Sequence, residues 1–537
     1  MSGAAAALSF AAFGAQAQEI RPANPAEKGD GTMSPAAAAA RRYGPLPFSG
    51  ADVAAKAAAN RARDKAEKSS PRRPFNPAGL GPAGGAAAGP SAPVVVGGVN
   101  VPGLGPSFSS PPDTTGAIGP TRFVQLVNTT AGIFNRMTGA LIGSGTLDQL
   151  AGIAASVNSF DVQVIWDPAT NRFYYTMVSV FSASDNRLSV GFSTTPDPNN
   201  VTTDWCHYTV PAGALFPDFP KLGDDNDFII IGVNGFQPNF IGSDLLAFSK
   251  PPAGTTCPAA STFKAGTKIN LVDSSNNQVF TPVPANQIDT SATGFVVARN
   301  GALPSTNLWF FNVTNVGGFP VFGAARGVTV GAYTVPPNAT QPARVTQVVD
   351  TFDSRNTQAV QATDPRTGTF SFWTQHTILD ASGTVSAVRA YEIDPVPATP
   401  VVLRSGDIAS PGLFLFNAAI SPDRRHDGAI SAFGNSVVIQ FNVSGSGTNP
   451  EIVAGSSVNG GPLSFLLVMN GAGPYRDFTC VAPGSTCRWG DYSAATPDPR
   501  PVIAGRGVVW GTNQFSGVVS PPPGGVNWRT QIFALEP

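Results

Sequence analysis

Charge is scarce in this 537-residue chain: Lys, Arg, Asp and Glu make up 12 % of it, with three histidines and four cysteines. A formal net charge of −1 and a pI near 6.3 leave no basic footprint for nucleic acid or an anionic membrane surface. No run approaches 18 consecutive apolar residues, which excludes a spanning helix. His207, His376 and His426 are scattered, so a His-based triad or His-rich metal site lacks material. G-x-S-x-G, H-E-x-x-H and P-loop patterns are missing. In place of charge stand 58 Gly and 50 Pro, together with Ser, Thr, Asn and Gln, a balance suited to many short strands joined by turns.

Ala4 to Ala15 form a short apolar run of small residues ending in Ala15-Gln16-Ala17, the small-x-small pattern that a signal peptidase accepts. Residues 1–17 therefore read as a signal peptide, cleavage leaving Gln18 first, although no Lys or Arg precedes the run as an ordinary export signal requires. The expected location is secreted, extracellular or periplasmic. An oxidising compartment suits the cysteines. Cys206, Cys257, Cys480 and Cys487 allow three connectivities, and closeness in sequence favours Cys206 with Cys257 and Cys480 with Cys487. Loop-closure entropy gives these bridges roughly 4 and 2.5 kcal/mol. Zinc is the competing use, but there is no C-x-x-C and only His207 lies beside a cysteine.

From residue 18 to 106, Ala, Pro, Gly and Arg dominate and large apolar residues are few, which predicts a mostly disordered linker. Within it, residues 51–68 are Ala-rich with Lys and Arg toward the C-terminal end, the composition of an isolated, marginal helix.

Residues 107–537 change character to runs of Val, Ile, Phe, Tyr and Thr between Asp-Pro, Asn-Gly and Gly-Ser turns. Strands are expected at 123–127, 163–166, 173–178, 228–233, 294–298, 309–313, 385–393, 436–441 and 507–510, with no crossover helices, hence antiparallel. The clusters recur every 50 to 65 residues or so, the spacing of β-propeller blades, and six or seven units fit. The runs 173–176, 308–311, 370–373 and 508–511 look like equivalent strands, and 529–535 is placed to close the ring beside a strand from the domain's start.

Three segments, PPDTTGAIGPTRFVQLVN (111–128), FPDFPKLG (216–223) and WGDYSAATPDP (489–499), the last followed by VVWGTNQF, resemble a family of secreted bacterial β-propeller domains, most without an assigned activity. The resemblance implies a secreted propeller of the kind found beside adhesion modules. It is also distantly similar to sialidase-like propellers, but the Asp-box S-x-D-x-G-x-T-W is not matched.

In Asp113-Thr114-Thr115-Gly116 and Gly490-Asp491-Tyr492-Ser493 an Asp stands beside Gly and hydroxyl residues at a strand entry, where its carboxylate can pin a turn through backbone N–H groups. The functional alternative places these turns at one mouth of the central channel, with Asp113, Asp218, Lys221, Arg488, Asp491 and Tyr492 lining a ligand site. Asp224, Asp225 and Asp227 form the densest acidic cluster, whose oxygens would suit Ca²⁺, although Phe228 occupies a ligand position of the EF-hand loop and the sixth-position Gly is missing; a polar hairpin is the simpler reading. A sialidase-like site would draw on Arg172, Arg299, Arg488 and Tyr492.

The sequence thus leads to a monomeric secreted propeller that binds a glycan, a cell-envelope polymer or an extracellular protein without catalysis, and that needs no cofactor unless Ca²⁺ is held. The alternative is an extracellular glycoside hydrolase or lyase with acidic residues in the channel.

Overall fold

The computed structural model describes residues 19–43, 46–67, 81–82, 93–107, 109–342, 346–364, 368–424, 436–500, 507–518 and 525–537. The expected signal peptide and His426 lie outside them.

The β-branched and aromatic runs form seven antiparallel sheets, at 115–146, 158–213, 216–268, 279–333, 356–409, 414–469 and 494–536. Their innermost strands are Thr115–Ile118, Asn158–Asp167, Phe216–Asp224, Val279–Pro284, Asn356–Thr363, Phe414–Pro422 and Ala494–Pro497. These touch in cyclic order, the seventh against the first, so the fold is a seven-bladed propeller. A hydrophobic cluster fills each seam between blades; Leu126, Ile133, Val164, Trp166, Phe173 and Trp205, for example, join blades one and two. Such two-sided burial explains why strands like Phe228–Phe236 are apolar or small along their whole length instead of alternating.

Blade seven takes its outermost strand from the N-terminal side of the chain: Val94–Pro102 pairs antiparallel with Trp528–Glu536. Ring closure by 529–535 is as expected, but its partner falls inside the segment that composition assigned to a disordered linker. Five valines supply the β-propensity, and a register break between Val95 and Asn100 accommodates Gly97-Gly98. Further upstream, Arg21–Pro22 pairs with blade two, and two helices cross one face: α1, Pro35–Tyr43, and α2, Gly50–Glu67. In α1, Pro35 leads the first turn and Ser34 Oγ accepts the Ala37 N–H at 3.2 Å. The helix expected at 51–68 is present as α2, but not isolated, since its Asp52, Ala59 and Arg63 are buried against the propeller.

One strand equivalence is corrected. Residues 173–176, 370–373 and 508–511 lie in the second strands of their blades, whereas 308–311 lies in the third strand of blade four, Ser305–Val316. That strand carries the same aromatic density because it is sandwiched on both faces. Both disulfides form as expected: Cys206–Cys257 ties the outer strand of blade two to a loop of blade three, and Cys480–Cys487 closes the turn leading into Arg488. No described helix is long and apolar enough to cross a membrane.

Candidate binding site at the channel mouth

The seven innermost strands begin on one face, here the entry face, and end on the other, the exit face. Along the channel between them the packing leaves a void of only about 20 Å³, lined by Thr115, Gln163, Leu222, Val283, Gln358 and Ala494 among others. The channel is therefore nearly filled, and chemistry is confined to its ends.

At the exit face, buried carboxylates meet cations. Lys250 Nζ lies 2.6 Å from Asp224 and 3.1 Å from Asp167, Arg424 bonds both oxygens of Asp289 at 2.8 Å, and Arg136 pairs with Asp498. Lys250–Asp167 and Arg136–Asp498 join neighbouring blades, and Arg424–Asp289 ties the end of blade six's innermost strand to the loop after residue 287. They also account for much of the acidic cluster considered for Ca²⁺: Asp224 further accepts from Asn286 Nδ2 and the Gln287 N–H, while Asp225 accepts the N–H groups of Asp227 and Phe228 and so caps a hairpin turn. No group of three or more His, Cys, Asp and Glu side chains among the described residues is placed to hold a metal ion.

The entry face is built by a recurring kink. In blades two, three, four and six a non-glycine residue in the left-handed region, Asp161, Phe219, Thr281 or Asn417, interrupts the innermost strand, and the ladder resumes two residues later after a bulge. Asp113 and Ser354 stand in the same conformation two residues ahead of the first strands of blades one and five. Such residues cost about 1 kcal/mol or more each and leave the extra residue unpaired, and both features gather at binding surfaces. Repetition around the ring brings the kinks together at the mouth.

All six residues singled out in the sequence meet there. Asp113, fully buried, accepts from Asn128 Nδ2 at 2.6 Å and from the Asp491 N–H at 2.8 Å. Gly490 supplies the backbone for this approach at φ 144°, where a Cβ would come within 2.2 Å of Gln514 Nε2. Arg488 lies 3.6 Å from Asp491. Lys221 Nζ sits between two rings, 3.5 Å from the centroid of Tyr492 and 4.0 Å from that of Phe219. Asp218, on the same kink as Phe219, accepts the N–H of Leu46.

Sequence reasoning missed Asp161, Phe352, Asp353 and Arg355. Arg355 forms a two-bonded pair with Asp353, both at 2.8 Å, and its guanidinium lies 4.7 Å from the Phe219 ring. Of the four residues proposed for a sialidase-like site, Arg488 and Tyr492 belong to the mouth and Arg299 approaches it through Asp353 at 3.8 Å. Arg172 lies elsewhere, against Phe192. His376 is within the strand Phe370–Leu379, buried between Ser354 C=O and Tyr391 Oη, and burial pushes its pKa down to about 3.

Burial dominates the electrostatics. It raises Asp161 and Asp491 well above the ordinary carboxylate range, Asp161 helped by Asp113 and Asp218 and Asp491 by Asp113 and Asp161, and pushes Asp218 up to about 7. It also holds Lys221 well below the ordinary lysine range, against the attraction of Asp491 and Asp113. Burial would raise Asp353 too, but the adjacent Arg355 outweighs it and keeps that carboxyl ionised.

Two cavities flank the cluster. One, about 150 Å³, is lined by Ser109, Ser110, Asn128, Asp148, Asp161 and Arg488. The other, about 340 Å³, is lined by Lys56, Asn60, Asp350, Phe352, Asp353 and Arg355.

No family model and no curated protein matches the chain. Among solved structures it is similar to the WD40 domain of SCAP from fission yeast (10 % identity, TM-score 0.26, covering 77 % of this chain and 79 % of that one). It is also similar to an exo-β-1,3-galactanase from Phanerochaete chrysosporium (10 % identity, TM-score 0.29, 83 % and 99 %) and to another from Clostridium thermocellum (8 % identity, TM-score 0.28, 65 % and 78 %). These similarities are remote, and the fold rests on the chain's own strand pairing.

Proposed function

We propose that this is a secreted binding propeller that takes a glycan, a cell-envelope polymer or another extracellular protein at its entry-face channel mouth, without chemistry on the ligand. One observation carries this reading. Lys221 Nζ is buried without a hydrogen-bond partner among the described residues, and Thr114 Oγ1, Asp218 Oδ2, Arg355 Nη1 and Arg488 Nε around it are in the same state. Leaving one buried polar group unpaired costs about 1–3 kcal/mol, and more for a charge. Several such groups converging on one mouth are spare capacity for a ligand's donors and acceptors, or for water that a ligand displaces. Lys250 at the exit face, in contrast to Lys221, lies directly on two carboxylates. The two disulfides support an oxidising, extracytoplasmic setting.

A second reading, hydrolysis or lysis of a polysaccharide, draws support from the split among the carboxyls. Burial raises Asp161 and Asp491 above the ordinary carboxylate range while Arg355 lowers Asp353, the kind of divergence that acid and base roles need. A glycan array read beside a reducing-sugar assay separates the two. Saturable retention of a glycan without new reducing ends supports binding; release of reducing ends that is abolished in Asp161→Asn would replace binding with catalysis.

A further inference from the structure

The mouth is already occupied by the chain's own peptide backbone. Ala36, Ala37 and Ala40 of α1 are buried in the cluster that joins blades two and three, which carries the following segment over the channel. There, Arg488 Nη1 donates to the Arg41 C=O at 2.7 Å and Arg355 Nη2 donates to the Leu46 C=O at 3.0 Å. Asp218 accepts the Leu46 N–H. Three charged side chains of the site thus hold main-chain groups of a peptide. Phe48 then seats against Phe240 and Phe280, ring centroids 4.9 and 5.6 Å away. Beyond it α2 is moored by Asp52 to Arg299 at 2.7 Å, and by Lys56 Nζ to the Phe352 C=O at 2.6 Å and Asp350 at 3.3 Å.

The occupied groups specify a ligand chemistry. Pro45 and Pro47 lack N–H groups, so Leu46 carries the only main-chain donor of the three, and a residue before proline is biased to extended backbone. Main-chain acceptors on Arg41 and Leu46 and a donor on Leu46, followed by an aromatic anchor at Phe48, are the contacts of a peptide-recognition arrangement.

Resting on the reading of the mouth as a binding site, we propose that residues 35–43 and 46–67 are a tethered occupant of it, and that its partner in trans is a proline-containing peptide segment of another protein that competes with this strap. A tethered occupant lowers the apparent affinity for any competitor by the fraction of molecules in which it is displaced.

The test uses the full chain and a fluorescein-labelled peptide of residues 39–50, AARRYGPLPFSG. Anisotropy titrations compare wild type with two strap variants that leave the mouth's own side chains intact: Phe48→Ala combined with Lys56→Ala, which loosens the moorings, and Leu46→Pro, which removes the donor. Tryptic cleavage after Arg41 reports strap release. The released variants should bind the peptide at least tenfold more tightly than wild type, and a peptide carrying proline in place of the central leucine should bind none of them. Faster cleavage without a gain in peptide affinity would overturn the proposal. So would equal binding of an array glycan by wild type and the released variants, a result that removes the competition while leaving the mouth as a binding site.

Discussion

The carboxylate of Asp113 accepts the main-chain N–H of Asp491 at 2.8 Å, joining residues 378 positions apart across the seam between blades seven and one. The same carboxylate holds the Asn128 side chain, so Asp113 braces the Gly490-Asp491 turn across the seam instead of pinning its own turn, and its two oxygens are spent on the scaffold of the mouth. Asp491 contributes only its backbone to this bond, which leaves its side chain facing Arg488.

That asymmetry separates two variants. Asp113→Ala leaves a buried amide and a buried N–H unpaired and should cost about 2–4 kcal/mol in urea unfolding. Asp491→Ala keeps the N–H donor, relieves a buried carboxyl, and should cost less than half as much. Equal losses would show that the contact is not what braces the seam.

Stability should fall as the solution turns alkaline. Burial pushes Asp218, Asp225, Asp244 and Glu451 each up to about 7. A carboxyl whose folded pKa exceeds its unfolded value of about 4 stabilises the fold while protonated; that contribution is complete below pH 4 or so and is lost as pH rises through 7. Asp353 and Asp167 are shifted the opposite way and matter only in acid, as pH falls below about 4. We expect the melting temperature to be higher at pH 5 than at pH 8.5, and Asp244→Asn, which removes one buried titrating group, to narrow the gap. A melting temperature that rises from pH 5 to 8.5 would reverse the sign.

Removing Cys206–Cys257 by a double serine substitution should cost roughly 4 kcal/mol, and removing Cys480–Cys487 about 2.5 kcal/mol, the difference following loop length. The second bridge closes the turn ahead of Arg488, so its loss should also weaken ligand retention by the mouth, while loss of the first should not. Guanidinium unfolding beside a retention assay reads both.

Most of the ring was legible because propeller strands announce themselves: apolar runs such as Phe228–Phe236 are buried on both faces and bounded by turns. Val94–Pro102 was hidden because its valines sit in an Ala, Gly and Pro background and its partner lies more than 400 residues away. Asp218 and Lys221 stood out because they fall in FPDFPKLG (216–223), one of the segments that carry the family resemblance. Asp161 and Arg355 occupy comparable kinks with no shared sequence signature, since Asp161-Val162-Gln163 and Phe219-Pro220-Lys221 have only backbone geometry in common. Burial of the mouth by the strap was beyond reach, because it depends on main-chain groups of Arg41 and Leu46 that every residue carries.

The contrast between Lys221 and Lys250 tests the whole scheme. Lys250 lies on two carboxylates at the exit face, so Lys250→Met strands two buried charges and should destabilise by about 3–5 kcal/mol. Lys221 has no such partner, and a residue kept for binding at the expense of stability behaves oppositely when replaced. Urea unfolding of Lys221→Met should therefore show a protein at least as stable as wild type, by about 0–3 kcal/mol. A loss matching that of Lys250→Met would mean that Lys221 is a structural cation and that the channel mouth is not the binding site.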